Sequence, residues 1–337
     1  MSRNLRVWFG FAALVLVVVV LVVAIKIPSR PGEKETFNIM LATWVGFAPF
    51  YIAEEKGYFQ EEGLEVKLSS SDNQATRRAA LTSGKIQAMI DTLDSLANGL
   101  PAGLPAKCVI KIDDSFGGDG LVVTNDVASF ADLKGKTIAY QHGLPPQFFL
   151  LYLLKQNGLS SKDIKSVDME ASDAAGAFIA KKVDAAVTWE PWLSKAGASE
   201  HGKILITSKE APGLITDILV VRPDVLRDRA EDVRGMLRAW FKALDFIESN
   251  PDEAARIMGK HLSLPAEEVQ GMLMGLKFAS YRNNLEYFGV DDGPNQFDKV
   301  LKEAIAIWVE EGSAPKAAIE KEFEPSSPGI LKNLMSN

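Results

Sequence analysis

From Phe37 onward, short apolar runs alternate with longer stretches of helical period. The runs Phe37–Thr43, Leu64–Ser69, Ile86–Thr92, Cys108–Asp113, Gly120–Thr124, Thr137–Gln141, Ser166–Glu170, Val183–Thr188, Lys203–Thr207 and Ile215–Val221 predict strands. Most are separated by helix-length segments, which predicts α/β layers with largely parallel sheets. After Pro223 the strand pattern stops. Val233, Met236, Leu237, Trp240 and Leu244 then recur at i, i+3, i+4, i+7 and i+11, predicting a helix ended by Asn250-Pro251. Following Pro294, Phe297, Val300, Leu301, Ile305 and Trp308 share one side of a second helix. Trp240 and Trp308 lie on these apolar faces and read as core residues.

One segment breaks this pattern. Val7 to Ile25 is an uncharged, strongly apolar run preceded by Arg3 and Arg6. As a helix it would extend ~28 Å, about the hydrocarbon thickness of a bilayer. The basic residues place its N-terminus on the cytoplasmic side. A cleaved leader is the alternative, with Val22 and Ala24 as the small residues before a cut. The length of the run, and Lys26, Pro28, Ser29, Arg30 and Pro31 after it, favour a retained anchor. No cysteine directly follows, so lipid attachment of the usual bacterial kind is not expected. In either case the remainder is exported, with residues 26–36 as a tether.

The chain has 337 residues and a formal charge of −7, and its first thirty residues carry basic side chains only. The exported part is therefore more acidic still, which argues against a nucleic-acid partner. Cys108 is the single cysteine, and His142, His201 and His261 are far apart in sequence. Disulfides, cysteine-built metal sites and iron–sulfur clusters are excluded, and no cofactor is expected. Gly135-Lys136-Thr137 imitates the end of a phosphate-binding loop, but Phe130 stands where its first glycine belongs and a strand follows. No serine-elbow or paired-histidine motif is present.

Two sheets, one before and one after residue 124, with a return strand near Asp217–Val221, predict two lobes and a cleft. The expected division is 1–36 for anchor and tether, 37–123 for the first lobe, 124–215 for the second, and 216–337 returning to the first. Ligands of open α/β sheets sit beyond the carboxyl ends of the strands. Those ends carry Trp44 and Phe47, Asp91 and Asp94, Asp113, Ser115 and Asp119, then Gln141 and His142, and finally Trp189, Glu190 and Trp192. Asp91, Asp94 and Asp173 also suit helix N-caps, and Gly117 and Gly118 suit a turn. The strand ends contain no arginine. An enclosed anion needs donors, and an enclosed carboxylate without a partner is costly, so these ends favour a ligand with N–H donors or positive charge. Trp44, Trp189 and Trp192 would supply flat walls. Nothing supplies a second catalytic group, so binding without chemistry is expected.

The segment Leu41-Ala42-Thr43-Trp44-Val45-Gly46-Phe47-Ala48-Pro49-Phe50-Tyr51-Ile52-Ala53, with Glu55-Lys56-Gly57-Tyr58-Phe59 and Glu62-Gly63-Leu64-Glu65-Val66 behind it, resembles bacterial solute-binding proteins of the nitrate/sulfonate/taurine class. That class includes pyrimidine-precursor binders related to thiamine synthesis. The likeness continues through Asp132-Leu133-Lys134-Gly135-Lys136, Val183-Asp184-Ala185-Ala186-Val187-Thr188-Trp189-Glu190-Pro191 and Asp217-Ile218-Leu219-Val220-Val221. The resemblance implies a type II periplasmic binding protein fold, in which two α/β lobes joined by two crossings close on a small solute. It also implies a monomer on the outer face of the bacterial inner membrane, serving an ABC permease and its ATPase. Hinges are expected near Val122–Asn125 and Thr216–Val220. The helix start at Pro145-Pro146-Gln147 would complete the second-lobe wall and could offer backbone N–H groups to an anion. Acid-rich strand ends suit nitrate and simple sulfonates poorly. A nitrogen-rich organic solute is expected, such as an amine, amidine, guanidinium, urea-like amide or amino-pyrimidine, with taurine or a sulfonate next. Pyrimidine synthases resemble the same class but use a cysteine-rich iron motif and a histidine, which the single Cys108 does not match. A membrane-tethered sensor is a further alternative.

Overall fold

A computed structural model describes residues 35–290 and 293–335. The apolar run Val7 to Ile25 lies outside the described residues. Among those described, no helix is long and apolar enough to cross a membrane.

Each apolar run forms a strand: β1 (Phe37–Leu41), β2 (Val66–Ser70), β3 (Ala88–Thr92), β4 (Lys107–Ser115), β5 (Asp119–Thr124), β6 (Thr137–Tyr140), β7 (Lys165–Asp168), β8 (Ala185–Trp189), β9 (Gly202–Thr207) and β10 (Thr216–Val221). An additional strand, β11 (Leu276–Phe278), corrects the reading that strands end at Pro223. It has three residues, of which Leu276 alone is buried, so no alternation announces it. It pairs antiparallel with the end of β4, from Asp113 to Ser115.

The strands make two sheets, ordered β11-β4-β10-β3-β1-β2 and β7-β6-β8-β5-β9. Parallel pairing holds for β1 with β2 and β3, and for β6 with β7 and β8. Elsewhere the sheets are antiparallel, which corrects the expectation of largely parallel sheets. The cause is connectivity. The chain leaves the first sheet along β4 and enters the second along β5, then returns from β9 into β10, so these strands run against their neighbours. Such strands are as apolar as parallel ones when both faces are covered, and all six residues of β10 are buried.

This connectivity also corrects the division at residue 124. β5 belongs to the second sheet, so the first crossing is 116–118 and the second is 208–215. The expected hinge segments Val122–Asn125 and Thr216–Val220 fall largely inside β5 and β10, where Val122, Val123, Ile218 and Leu219 are fully buried. At the true crossings, Ser115 and Ser208 share a hydroxyl hydrogen bond of 2.7 Å, and Gly117 N donates to Ser208 Oγ at 2.8 Å. Phe116 N and Gly118 N both donate to Gly275 O.

The helix Ala230–Ser249 buries Val233, Met236, Leu237, Trp240 and Leu244 as its period requires. Trp240 packs on Phe50 with ring centroids 4.6 Å apart. The helix Gln296–Glu311 starts at Asn295, whose side chain accepts from Asp298 N, and ends at Gly312 in the left-handed region. It buries Trp308 completely. Trp308 Nε1 donates to Asp94 O at 2.8 Å, and its ring lies 5.7 Å from Phe148, which belongs to the helix Pro145–Gln156 of the second lobe.

Candidate functional site

Behind β1 the chain turns through Thr43, Trp44 and a 3₁₀ turn, Val45–Phe47. Thr43 N donates to Asp72 Oδ1 at 2.6 Å, fixing the turn to the segment after β2. The Trp44 indole occupies a slot made by two glycines. A Cβ on Gly118 would lie 2.2 Å from Trp44 Cη2, and one on Gly46 would lie 2.4 Å from Trp44 Nε1 and 2.0 Å from Asp113 Oδ2. Only a residue without a side chain permits so close an approach. Trp44 Nε1 reaches Asp113 Oδ2 at 3.4 Å.

The opposite wall comes from the second sheet. Trp189, at the end of β8, donates from Nε1 to Thr43 O at 3.2 Å, joining the two lobes across the cleft. Leu144 and Pro145 bring the start of the helix Pro145–Gln156 to the same wall. Between the walls is a cavity of about 60 Å³. That is room for a few waters, at ~10–15 Å³ each, or for a small solute in their place.

Of the residues proposed from the strand ends, Trp44, Phe47, Asp91, Asp119 and Trp189 line this cavity. Asp94, Asp113 and Ser115 are buried but do not line it. Gln141 and His142 border a neighbouring cavity of about 440 Å³, which shares Gln74 and Leu144 with the first. Glu190 and Trp192 are not in the lining. Glu190 instead accepts from Ser194 N at 3.1 Å and Ser194 Oγ at 2.6 Å, starting its own helix Trp192–Gly197. The Trp192 ring carries the Lys195 ammonium 4.6 Å above its centre. The N-cap reading of the aspartates is also corrected. Thr92 and Glu170 occupy the N-cap positions, and Asp94 and Asp173 lie inside the first turns.

The strand-end inventory missed Arg77, Asp72, Gln74 and Asp217, all of which line the cavity. Arg77 sits on the helix Gln74–Thr82 and is 6% exposed. Its Nη1 donates to Ser71 O at 2.6 Å, while Nε is buried without a partner. The strand ends themselves hold no arginine, but the helix behind β2 brings one into the lining. The available signal was the Arg77-Arg78 pair on a helix opened by the Asn73 cap, close behind Asp72. Burial lowers the Arg77 pKa, opposed by the charges of Asp91 and Asp72. Asp91 accepts from Gln74 Nε2 at 2.9 Å and from Thr92 N at 3.0 Å. Its second oxygen is buried with no hydrogen bond, and Arg78 Nη2 stands 3.8 Å away.

Asp72, Asp91, Asp119 and Asp217 thus share the lining with one guanidinium. Burial pushes the carboxyl pKa values of Asp94, Asp113 and Asp119 up to about 7. Asp217 is raised well above the ordinary range, by burial first and then by the charge of Asp113. Such a lining offers acceptors, or carboxyl donors, to a guest and one cation to balance it. No histidine or cysteine lines the cavity. Cys108 is buried within β4 and its thiol pKa is pushed up by burial.

Residues 44–254 match the sequence model of a family described as NMT1/THI5 like. A protein of Bacillus subtilis (strain 168) named for binding aliphatic sulfonates is 26% identical over 270 residues, covering 78% of this chain and 81% of that one. A 4-amino-5-hydroxymethyl-2-methylpyrimidine phosphate synthase of Saccharomyces cerevisiae is 30% identical over 243 residues, covering 66% of this chain and 69% of the synthase. The fold resembles that of the alkanesulfonate-binding protein of Xanthomonas axonopodis pv. citri bound to MOPS, with a TM-score of 0.72 and 18% identity, covering 84% of this chain and 96% of that one.

Proposed function

The chain belongs to the NMT1/THI5-like family, and on that premise we propose that it is an extracytoplasmic solute-binding protein. It captures a small organic solute, cationic or rich in N–H donors, and presents it to an ABC permease and its ATPase. The observation that carries this reading is the inter-lobe cavity, where Asp91, Asp119 and Asp217 share the lining with the indoles of Trp44 and Trp189. An amidine, guanidinium or amino-pyrimidine edge matches that lining, placing N–H groups on carboxylates and a flat face against indole. A micromolar site needs about −8 kcal/mol, within reach of two or three enclosed polar contacts plus ring packing. Val7 to Ile25 then serves as the membrane anchor, and the protein works as a monomer.

A sulfonate, as in the name of the Bacillus relative, ranks second, because it would rely on Arg77 amid four carboxylates. Turnover of the kind named for the yeast synthase receives no support from the lining, which holds neither histidine nor cysteine.

Isothermal titration of the purified protein tests the reading. Amidines, guanidines and amino-pyrimidines should bind in the sub-millimolar range, and nitrate and alkyl sulfonates far more weakly. Tight binding of the anions, with none of the nitrogenous solutes, would overturn it.

A further inference from the structure

In the antiparallel pairing of β10 with β4, Asp217 stands directly opposite Asp113. Residues directly opposed in an antiparallel pair put their side chains on one face of the sheet, and both of these are buried. Two ionised carboxylates enclosed side by side repel one another, and neither has a hydrogen to give the other. Asp113 Oδ1 has no donor among the described residues. Asp113 Oδ2 has only the long bond from Trp44 Nε1. Gly46 closes that side so tightly that a Cβ there would stand 2.0 Å from Asp113 Oδ2. One proton held between the two carboxyls resolves the repulsion, as two like charges in one buried site require.

The surroundings keep that proton in place. Asp114 on β4, Asp119 on β5, and Asp94 on the helix Leu93–Gly99 all raise the cost of a second negative charge. Asp91, on β3, adds a further acidic neighbour in the same lining. Lys111 is committed to Asp114 at 2.6 Å. Arg77 is the lining cation, and Asp91 and Asp72 act on it more strongly than Asp217 does. Asp217 faces the cavity while Asp113 lies outside the lining. A positive guest therefore meets one member of the pair directly.

We infer that the Asp113–Asp217 pair holds one proton in the empty cleft and releases it to solvent when a cationic solute enters, so that capture exchanges a proton for a cation. This rests on the capture reading above and adds to it how the site selects charge. The guest supplies the positive charge that the shared proton supplied before. A neutral isostere offers no such replacement, so it leaves the proton where it is.

The test uses the full chain with acetamidinium and its uncharged isostere acetamide, titrated calorimetrically in two buffers of different ionisation enthalpy. At about pH 8, where Asp119 is largely ionised, acetamidinium should release about one proton per site, and acetamide none. Its affinity should rise about tenfold per pH unit while the pair remains protonated. The infrared carbonyl band of the protonated carboxyl should be present in the ligand-free protein and vanish on binding. D113N leaves Asp217 without its sharing partner, and acetamidinium should then bind without proton release. E190Q, outside the cavity lining, should leave the release intact. Thermal melts establish that each variant is folded, and the infrared band reads the ligand-free wild type independently of any variant. Acetamidinium binding with no proton release, or release undiminished in D113N, would overturn the exchange while leaving capture standing. If acetamidinium fails to bind and methanesulfonate binds instead, the capture reading fails and the exchange fails with it.

Discussion

The two lobes bring different chemistry to the same cavity. The lobe on the six-stranded sheet supplies Asp72, Gln74, Arg77, Asp91 and Asp217. The lobe on the five-stranded sheet supplies Leu144, Pro145 and Trp189, with Asp119 as its carboxylate. Their interiors differ as well. The first lobe has one continuous core, which also takes in Phe148 from the second lobe. The second has two smaller cores, one on each face of its sheet. The charged groups of the lining are thus concentrated on the larger body, and the smaller one covers them mainly with apolar side chains. Phe148 against Trp308, together with ion pairing of Lys155 with Glu310 and a hydrogen bond from Ser161 to Glu311, holds that cover in place.

The sharpest way to break this contrast is Trp308→Ala. It removes a fully buried indole and its hydrogen bond to Asp94 O, so a loss of about 3–5 kcal/mol is expected in chemical denaturation. The same variant should weaken solute binding, because the Phe148 seat is lost from the cover. A loss confined to binding would show that the inter-lobe core carries little stability.

The pH dependence of stability follows from the buried acids that concentrate in and behind the cavity walls. Asp94, Asp113 and Asp119 are raised to about 7, so between their unfolded values near 4 and about 7 the folded chain binds more protons than the unfolded one. Stability falls as pH rises through that window. Melting temperature should therefore decline by several degrees from about pH 5 to about pH 8, and D113N should flatten the decline. A melting temperature that climbs over this range would contradict the ionisation state assigned to the wall.

Gly118→Ala addresses the indole slot between the lobes. The new methyl would displace Trp44, and solute affinity should fall about tenfold, equivalent to ~1.4 kcal/mol, with a shift in tryptophan emission. Unchanged affinity would remove Trp44 from the binding wall. The smallest effect is expected for Glu190→Gln. Its carboxylate caps a helix outside the cavity, so affinity should stay within about twofold while stability drops by no more than ~1 kcal/mol. A large loss of affinity would mean that Glu190 turns inward when solute is bound.

Much of this contrast is written locally along the chain. Trp44 and Trp189 follow apolar runs directly, so their position at strand ends and their meeting in the cleft follow from the pattern. Strand direction is not written there, because β4, β5 and β10 are as apolar as parallel strands and only connectivity reverses them. Arg77 is not legible in the same way, because it projects from a helix and not from a strand end. Glu190 was misplaced for a local reason: Ser194, one helical turn ahead, offers two donors that outcompete the cleft. Asp217 reads as one more residue of an apolar strand until its register places it against Asp113.

The hydroxyl bridge between Ser115 and Ser208, with Gly117 N donating to the same oxygen, ties the outgoing linker to the returning one. Linkers fastened side by side leave relative rotation about a common axis as the soft motion and resist sliding. Any movement of one lobe against the other would therefore turn about the serine tie, with the least displacement beside it.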